Sequence, residues 1–219
     1  MFLPPGLIRV DVFRMEDAAL GDADRWKKKL SVALIAGGRS TRMGRDKACL
    51  MDGTGQELWR RQLDLLQDLG AAEVLISCRP DQSYLEAAAA QLVFDRWDTA
   101  GPLGGILSCF EATATERLLV LAVDLPGMTR QVLEALALPQ QTSGLVFQNG
   151  GHLEPLAALY PRAMVLSGHQ RLAAGQLSLQ KWIVDSREHM QVLELPASWK
   201  SAFINVNDPA GWAAWQGSA

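Results

Sequence analysis

Short apolar runs, five to nine residues long, recur along the whole chain, and stretches of helical periodicity fall between most of them. The runs are SVALIA (31–36), EVLIS (73–77), QLVFD (91–95), RLLVLAVD (117–124), GLVFQ (144–148) and MQVLEL (190–195), while LEPLAALYP (153–161) reads as a strand or a short mixed element. A near-continuous apolar run suits a strand covered on both faces. Helical patterns follow at Trp59, Leu63 and Leu66 with Gly70 as the stop, at 102–113 behind Pro102, and at 129–137, 162–174 and 177–186. A last one carries Trp212 and Trp215. Thr54 and Glu57 have the spacing of a capping box for the first helix. Strand and helix in alternation predict an α/β fold, a mostly parallel sheet with helices on both faces. No linker or repeat divides the 219 residues, so one domain is expected over 30–219. Residues 1–29, with a Pro-Pro-Gly turn, mixed charge and weak periodicity, read as an N-terminal extension.

Charge and cysteine usage exclude several functions. A net charge of −3 gives no broad positive field, which argues against a nucleic-acid partner. No apolar run reaches the ~18 residues of a membrane helix, so no membrane partner is expected. Cys49, Cys78 and Cys109 are odd in number and far apart, which fits a reducing cytoplasm. His152, His169 and His189 have no metal-ligand spacing.

The first run leads straight into LIAGGRSTRMGRDK (34–47). In an open parallel sheet, ligands bind at the carboxyl ends of strands. Glycines let the backbone approach a ligand, and consecutive N–H groups form an anion nest. Arg39, Arg42, Arg45 and Lys47 add four cations within eleven residues, the composition of a polyphosphate site. It is not a Walker A loop, because Arg45-Asp46-Lys47 follows Gly44. Nor is it a dinucleotide fingerprint, because Gly37, Gly38 and Gly44 are wrongly spaced.

This loop resembles the signature of the Rossmann-like nucleotidyltransferases. Its Ala36-Gly37-Gly38 form, with Arg42-Met43-Gly44 and Asp46-Lys47, most resembles the molybdenum cofactor guanylyltransferases; related cytidylyltransferases carry Ala-Ala-Gly there. Four further stretches are similar to family motifs in the same order: Asp95 before Gly101-Pro102-Leu103-Gly104-Gly105, then Asp124-Leu125-Pro126, Glu154-Pro155-Leu156, and Asn205-Val206-Asn207. The likeness spans 31 to about 216. One departure is Ser77-Cys78-Arg79, where the family often has an Asn after the second strand, so a nucleoside contact there is expected to be made differently. A milder one is Asn207-Asp208-Pro209, where Asn-Thr-Pro is common.

The resemblance implies a single-domain, three-layer Rossmann-like sandwich. It also implies transfer of GMP from GTP to molybdopterin, with release of pyrophosphate. GTP, the molybdenum cofactor and Mg²⁺ are then the ligands, and cofactor-accepting molybdoenzymes or their chaperones are candidate partners. Arg42 and Lys47 are expected at the triphosphate, with Ala36, Gly37 and Gly38 cradling it. Asp124 is expected to bind Mg²⁺, or else to cap a helix. Asp95 would contact the nucleoside or order the metal site, or stand solvated at a strand end. Glu154, Asn205 and Asn207 would face the acceptor, although the two Asn also suit a plain turn. Trp212 and Trp215, at helical spacing, read as core. A cytidylyltransferase and a non-catalytic GTP-binding module are the alternatives.

Overall fold

The computed structural model describes residues 26–38, 44, 46–97, 99–137 and 143–216. Among the described residues seven strands form one sheet: β1 (Leu30–Ile35), β2 (Glu73–Cys78), β3 (Gln91–Phe94), β4 (Arg117–Ala122), β5 (Gly144–Asn149), β6 (His152–Pro161) and β7 (Met190–Glu194). Their order is β3-β2-β1-β4-β6-β5-β7. Only β6 runs against its neighbours. It turns back from β5 through Gly150 and Gly151, both at positive φ (56° and 90°). Consecutive positive φ values suit a two-residue hairpin, and only glycine adopts them without strain. The pair therefore settles 153–161 as an antiparallel strand.

The helices are α1 (Leu58–Gln67), α2 (Gly101–Ala112), α3 (Arg130–Leu136), α4 (Val165–Ala173), α5 (Leu179–Asp185) and α6 (Pro209–Gln216). They cover both faces. Along β1, Leu30, Val32 and Leu34 enter one core with α1, α3 and Trp212 of α6, while Ala33 and Ile35 enter the other with α2 and α5. β4 divides in the same way, Leu119 and Leu121 against Leu118 and Val120. A strand buried on both faces is apolar at nearly every position, so these runs do not alternate; the buried exception on β1, Ser31, donates to Glu73 at 2.7 Å. Trp212 and Trp215 stack with centroids 5.1 Å apart at the edge of the first core, as expected of packing residues. Trp26 leans on that core as well, and the N–H of Ala72 donates to the Lys27 carbonyl.

The capping box does not form. The Thr54 hydroxyl donates to Asp52 Oδ1 at 2.6 Å, and the same oxygen accepts from the N–H groups of Thr54 and Gln56. α1 starts only at Leu58, and its N-cap Glu57 makes no side-chain cap. The Glu57 carboxylate instead accepts from Trp59 Nε1 and Arg60 Nε. Asp52 stands two residues ahead of Thr54 and builds its own turn, so the hydroxyl satisfies that turn rather than the helix.

Candidate active site

β1 passes the chain outward to β2 and β3, whereas β4 lies on its other side. The carboxyl ends of β1 and β4 therefore flank the point where the strand order reverses, the place where open α/β sheets bind ligands. A cavity of about 350 Å³ lies there. Gly37 and Gly38 reach it from β1, Arg79 from β2, Asp95 from β3 and Asp124 from β4, with Lys47 beside them. The ladder holds the ends in register: Ile35 is opposite Ala122, and the Val123 N–H donates to the Ile35 carbonyl.

Lys47, Asp124 and Asn207 meet in space. Lys47 Nζ donates to Asn207 Oδ1 at 2.7 Å and to Asp124 Oδ2 at 3.2 Å. The Val206 N–H donates to the Asp124 carbonyl at 3.0 Å, which ties the Asn205-Val206-Asn207 turn to the end of β4. Asp124 caps no helix, because α3 begins at Arg130 behind a Thr129 cap. Its second oxygen, Oδ1, is buried without a hydrogen-bond partner among the described residues. A buried acceptor left in this state costs roughly 1–3 kcal/mol. A divalent cation fits that oxygen. Among the described residues no group of three or more His, Cys, Asp or Glu side chains is placed to hold a metal. The ion would thus draw its remaining oxygens from phosphate and water, which is the habit of magnesium.

Asp95 is held, not loosely solvated. Ser77 Oγ donates to its Oδ1 at 2.6 Å. Two glycines make room for the pair. A Cβ on Gly37 would stand 2.8 Å from Asp95 Oδ2, and one on Gly105 would stand 2.5 Å from Ser77 Oγ. The last glycine of Gly-Pro-Leu-Gly-Gly thus lets α2 approach β2 closely.

A second polar network stands behind the glycines. Arg79 donates to the carbonyls of Gly37 and Gly38 and to Asp46. Gln82 Nε2 donates to the Ala36 carbonyl at 3.0 Å and to Asp46 Oδ2 at 2.8 Å, where the Tyr84 hydroxyl also donates. Burial, then the bond to Asp46, push the Tyr84 phenol well above its ordinary range.

Of the residues expected from sequence, Ala36, Gly37, Gly38, Lys47, Asp95 and Asp124 line the cavity, and Asn207 reaches it through Lys47. Arg42 lies outside the described residues. Asn205 is exposed. Glu154 on β6 does not line the cavity, although Leu156 two positions on does; its carboxylate accepts from Asn149 Nδ2 at 3.2 Å, and burial raises its carboxyl. Gln82 and Tyr84 carried no signal in the sequence; Gly105 stood there only as part of a family motif, and Ser77 only within the departure after the second strand. Arg79 was visible there only as the oddity after the second strand.

A doubly wound sheet with a glycine loop, a lysine and a strand-end aspartate gathered at its switch point defines the nucleotidyltransferase class. The sequence pattern of the MobA-like NTP transferase domain matches residues 32–190, and the chain belongs to that family. A molybdenum cofactor guanylyltransferase of Ectopseudomonas mendocina is 35% identical over 189 residues, covering 84% of this chain and 90% of its own. One from Pseudomonas putida is 34% identical over 184 residues, covering 82% and 93%. The crystal structure of molybdopterin-guanine dinucleotide biosynthesis protein A from Archaeoglobus fulgidus superposes with a TM-score of 0.69 at 20% identity, over 86% of this chain and 97% of that one.

Proposed function

We propose that this chain transfers the guanylyl group of GTP to the terminal phosphate of molybdopterin or its molybdenum form. An acceptor phosphate oxygen attacks the α-phosphorus, the bond from Pα to the α,β-bridging oxygen breaks, and pyrophosphate leaves with the electron pair. Both reactants are anions, so catalysis rests on positioning and charge neutralisation. The observation that carries this reading is the meeting of the Gly37-Gly38 backbone, Lys47 and Asp124 in one cavity. Lys47 would move from the Asp124 carboxylate to phosphate oxygens as the nucleotide enters. Asp124 would hold Mg²⁺ through the oxygen that has no protein partner, and the ion would supply Lewis-acid neutralisation at the phosphates. Asp95, fixed by Ser77, would face the nucleoside. Asn207 would keep Lys47 directed into the cavity. The names of the relatives support guanine as the base and molybdenum cofactor as the acceptor. Three free cysteines accord with a reducing compartment such as the cytoplasm.

The test is pyrophosphate release by the purified protein with Mg²⁺, molybdopterin, and GTP, CTP, ATP or UTP in turn. Release with GTP alone is the expected result. Release with CTP alone would move the chain to cytidylyl transfer. Tight GTP binding without release from an active acceptor would leave only a binding module.

A further inference from the structure

Arg79 has five N–H groups, and each has an acceptor within the protein. Nε donates to Asp81 Oδ1 at 3.0 Å, Nη1 to the Gly37 carbonyl at 3.0 Å and the Gly38 carbonyl at 2.6 Å, and Nη2 to Asp46 Oδ2 at 3.2 Å and Asp81 Oδ2 at 3.4 Å. A guanidinium carries no more than five such hydrogens. Arg79 lines the cavity, yet it has no donor left for a base or a phosphate. Its acceptors show a different use. Gly37 and Gly38 precede the cationic stretch 39–45 in sequence, and Asp46 follows it. One planar fork holds both flanks.

The fork also sets the direction of the backbone. In a trans peptide the carbonyl and the next N–H point to opposite sides. With the Gly37 carbonyl turned to Arg79, the Gly38 N–H is directed away from it. Among the described residues neither the Gly37 nor the Gly38 N–H has a hydrogen-bond acceptor. Asp46, the other anchor, is next to Lys47 in the chain and accepts from the Ala48 N–H at 3.1 Å, which fixes the turn that carries Lys47. Gln82 and Tyr84 bind the same Asp46 oxygen, so the anchor is secured from three sides.

We propose that Arg79 is a positioning residue: it braces the glycine backbone and the Asp46-Lys47 turn in the geometry that receives a nucleoside triphosphate, and takes no part in reading the base. This rests on the nucleotidyl-transfer reading above. Removing the brace obliges the protein to order both flanks when the nucleotide binds, and that cost falls on every nucleotide alike.

The experiment is calorimetric titration of GTP, CTP, ATP and UTP, with Mg²⁺, into the wild type, Arg79→Ala and Arg79→Lys, beside pyrophosphate-release kinetics with molybdopterin. Arg79→Ala is expected to weaken GTP about tenfold and any other measurable nucleotide by the same factor. KM for GTP should rise correspondingly, with kcat changed by less than about threefold. A lysine cannot span two carbonyls and a carboxylate, so Arg79→Lys should recover only part of the loss. Asp46→Asn added to Arg79→Ala should cost less than it does alone, because the two residues act as one unit. Should Arg79→Ala fail to fold, Asp46→Asn by itself, which weakens the same tie, is read in the same way. Unchanged affinity in a folded Arg79→Ala protein would overturn the brace. So would a loss confined to GTP, which would make Arg79 a reader of the base. A wild type that binds no nucleotide would overturn the underlying transferase reading instead.

Discussion

Asp124 presents one carboxylate oxygen to Lys47 and leaves the other buried and unpaired among the described residues. Such a group persists where a ligand completes it. Asp124→Ala is therefore expected to shift stability in urea by less than about 1 kcal/mol, because the stranded oxygen leaves with the carboxylate. Pyrophosphate release by the same variant should fall to background. Lys47→Ala should lower kcat by about 10²–10³, the usual loss when one preorganised charge-stabilising donor is removed. A loss below tenfold in either variant would move the chemistry away from this pair. Lys47, Asp124 and Asn207 were legible in the sequence, since each ends a recognisable stretch. The roles of Ser77 and Gly105 were not. Gly105 belongs to a recognisable motif and Ser77 stands in the departure after the second strand, but what each does is visible only once Asp95 is placed against both.

At the scale of elements, apolar runs and helical spacing located every strand and helix named from them, because burial on both sheet faces writes directly into composition. The start of α1 was misread, because capping depends on which acceptor a hydroxyl meets first, and Asp52 lies closer to Thr54 than the helix does. Burial favours the neutral form of Asp52, yet the Thr54 hydroxyl and the N–H groups of Gln56 and Thr54 outweigh it and hold its carboxyl below the ordinary value. A depressed carboxyl stabilises the fold above its unfolded pKa, and that contribution is lost as pH falls through the folded value. Asp52→Ala should thus cost about 1–3 kcal/mol at neutral pH in urea unfolding. Its difference from wild type should shrink once pH drops below about 4. A penalty independent of pH would show that the carboxylate charge contributes nothing to the turn.

Across the whole molecule, the site draws on segments that the sequence keeps far apart; Lys47 and Asn207 are separated by 160 positions. Ligand bound there links the β1 loop, the end of β4 and the turn before α6. GTP with Mg²⁺ at about 100 times its Kd should add ~2.7 kcal/mol to the native state. In a chain of this length that corresponds to a rise in Tm of roughly 5–11 °C, at 2–4 °C per kcal/mol. The shift should vanish in Asp124→Ala; a full shift there would place the nucleotide elsewhere. The sequence by itself determined the α/β class, six of the strands and the family, because these are local patterns of burial, glycine and motif. Only the tertiary structure decided that 153–161 is a strand running antiparallel and that Asp124 keeps an oxygen unpaired among the described residues. It alone gave Arg79 all five acceptors. Each of these depends on which distant groups meet, and a hydrogen bond leaves no periodicity in a sequence to mark where its partner lies.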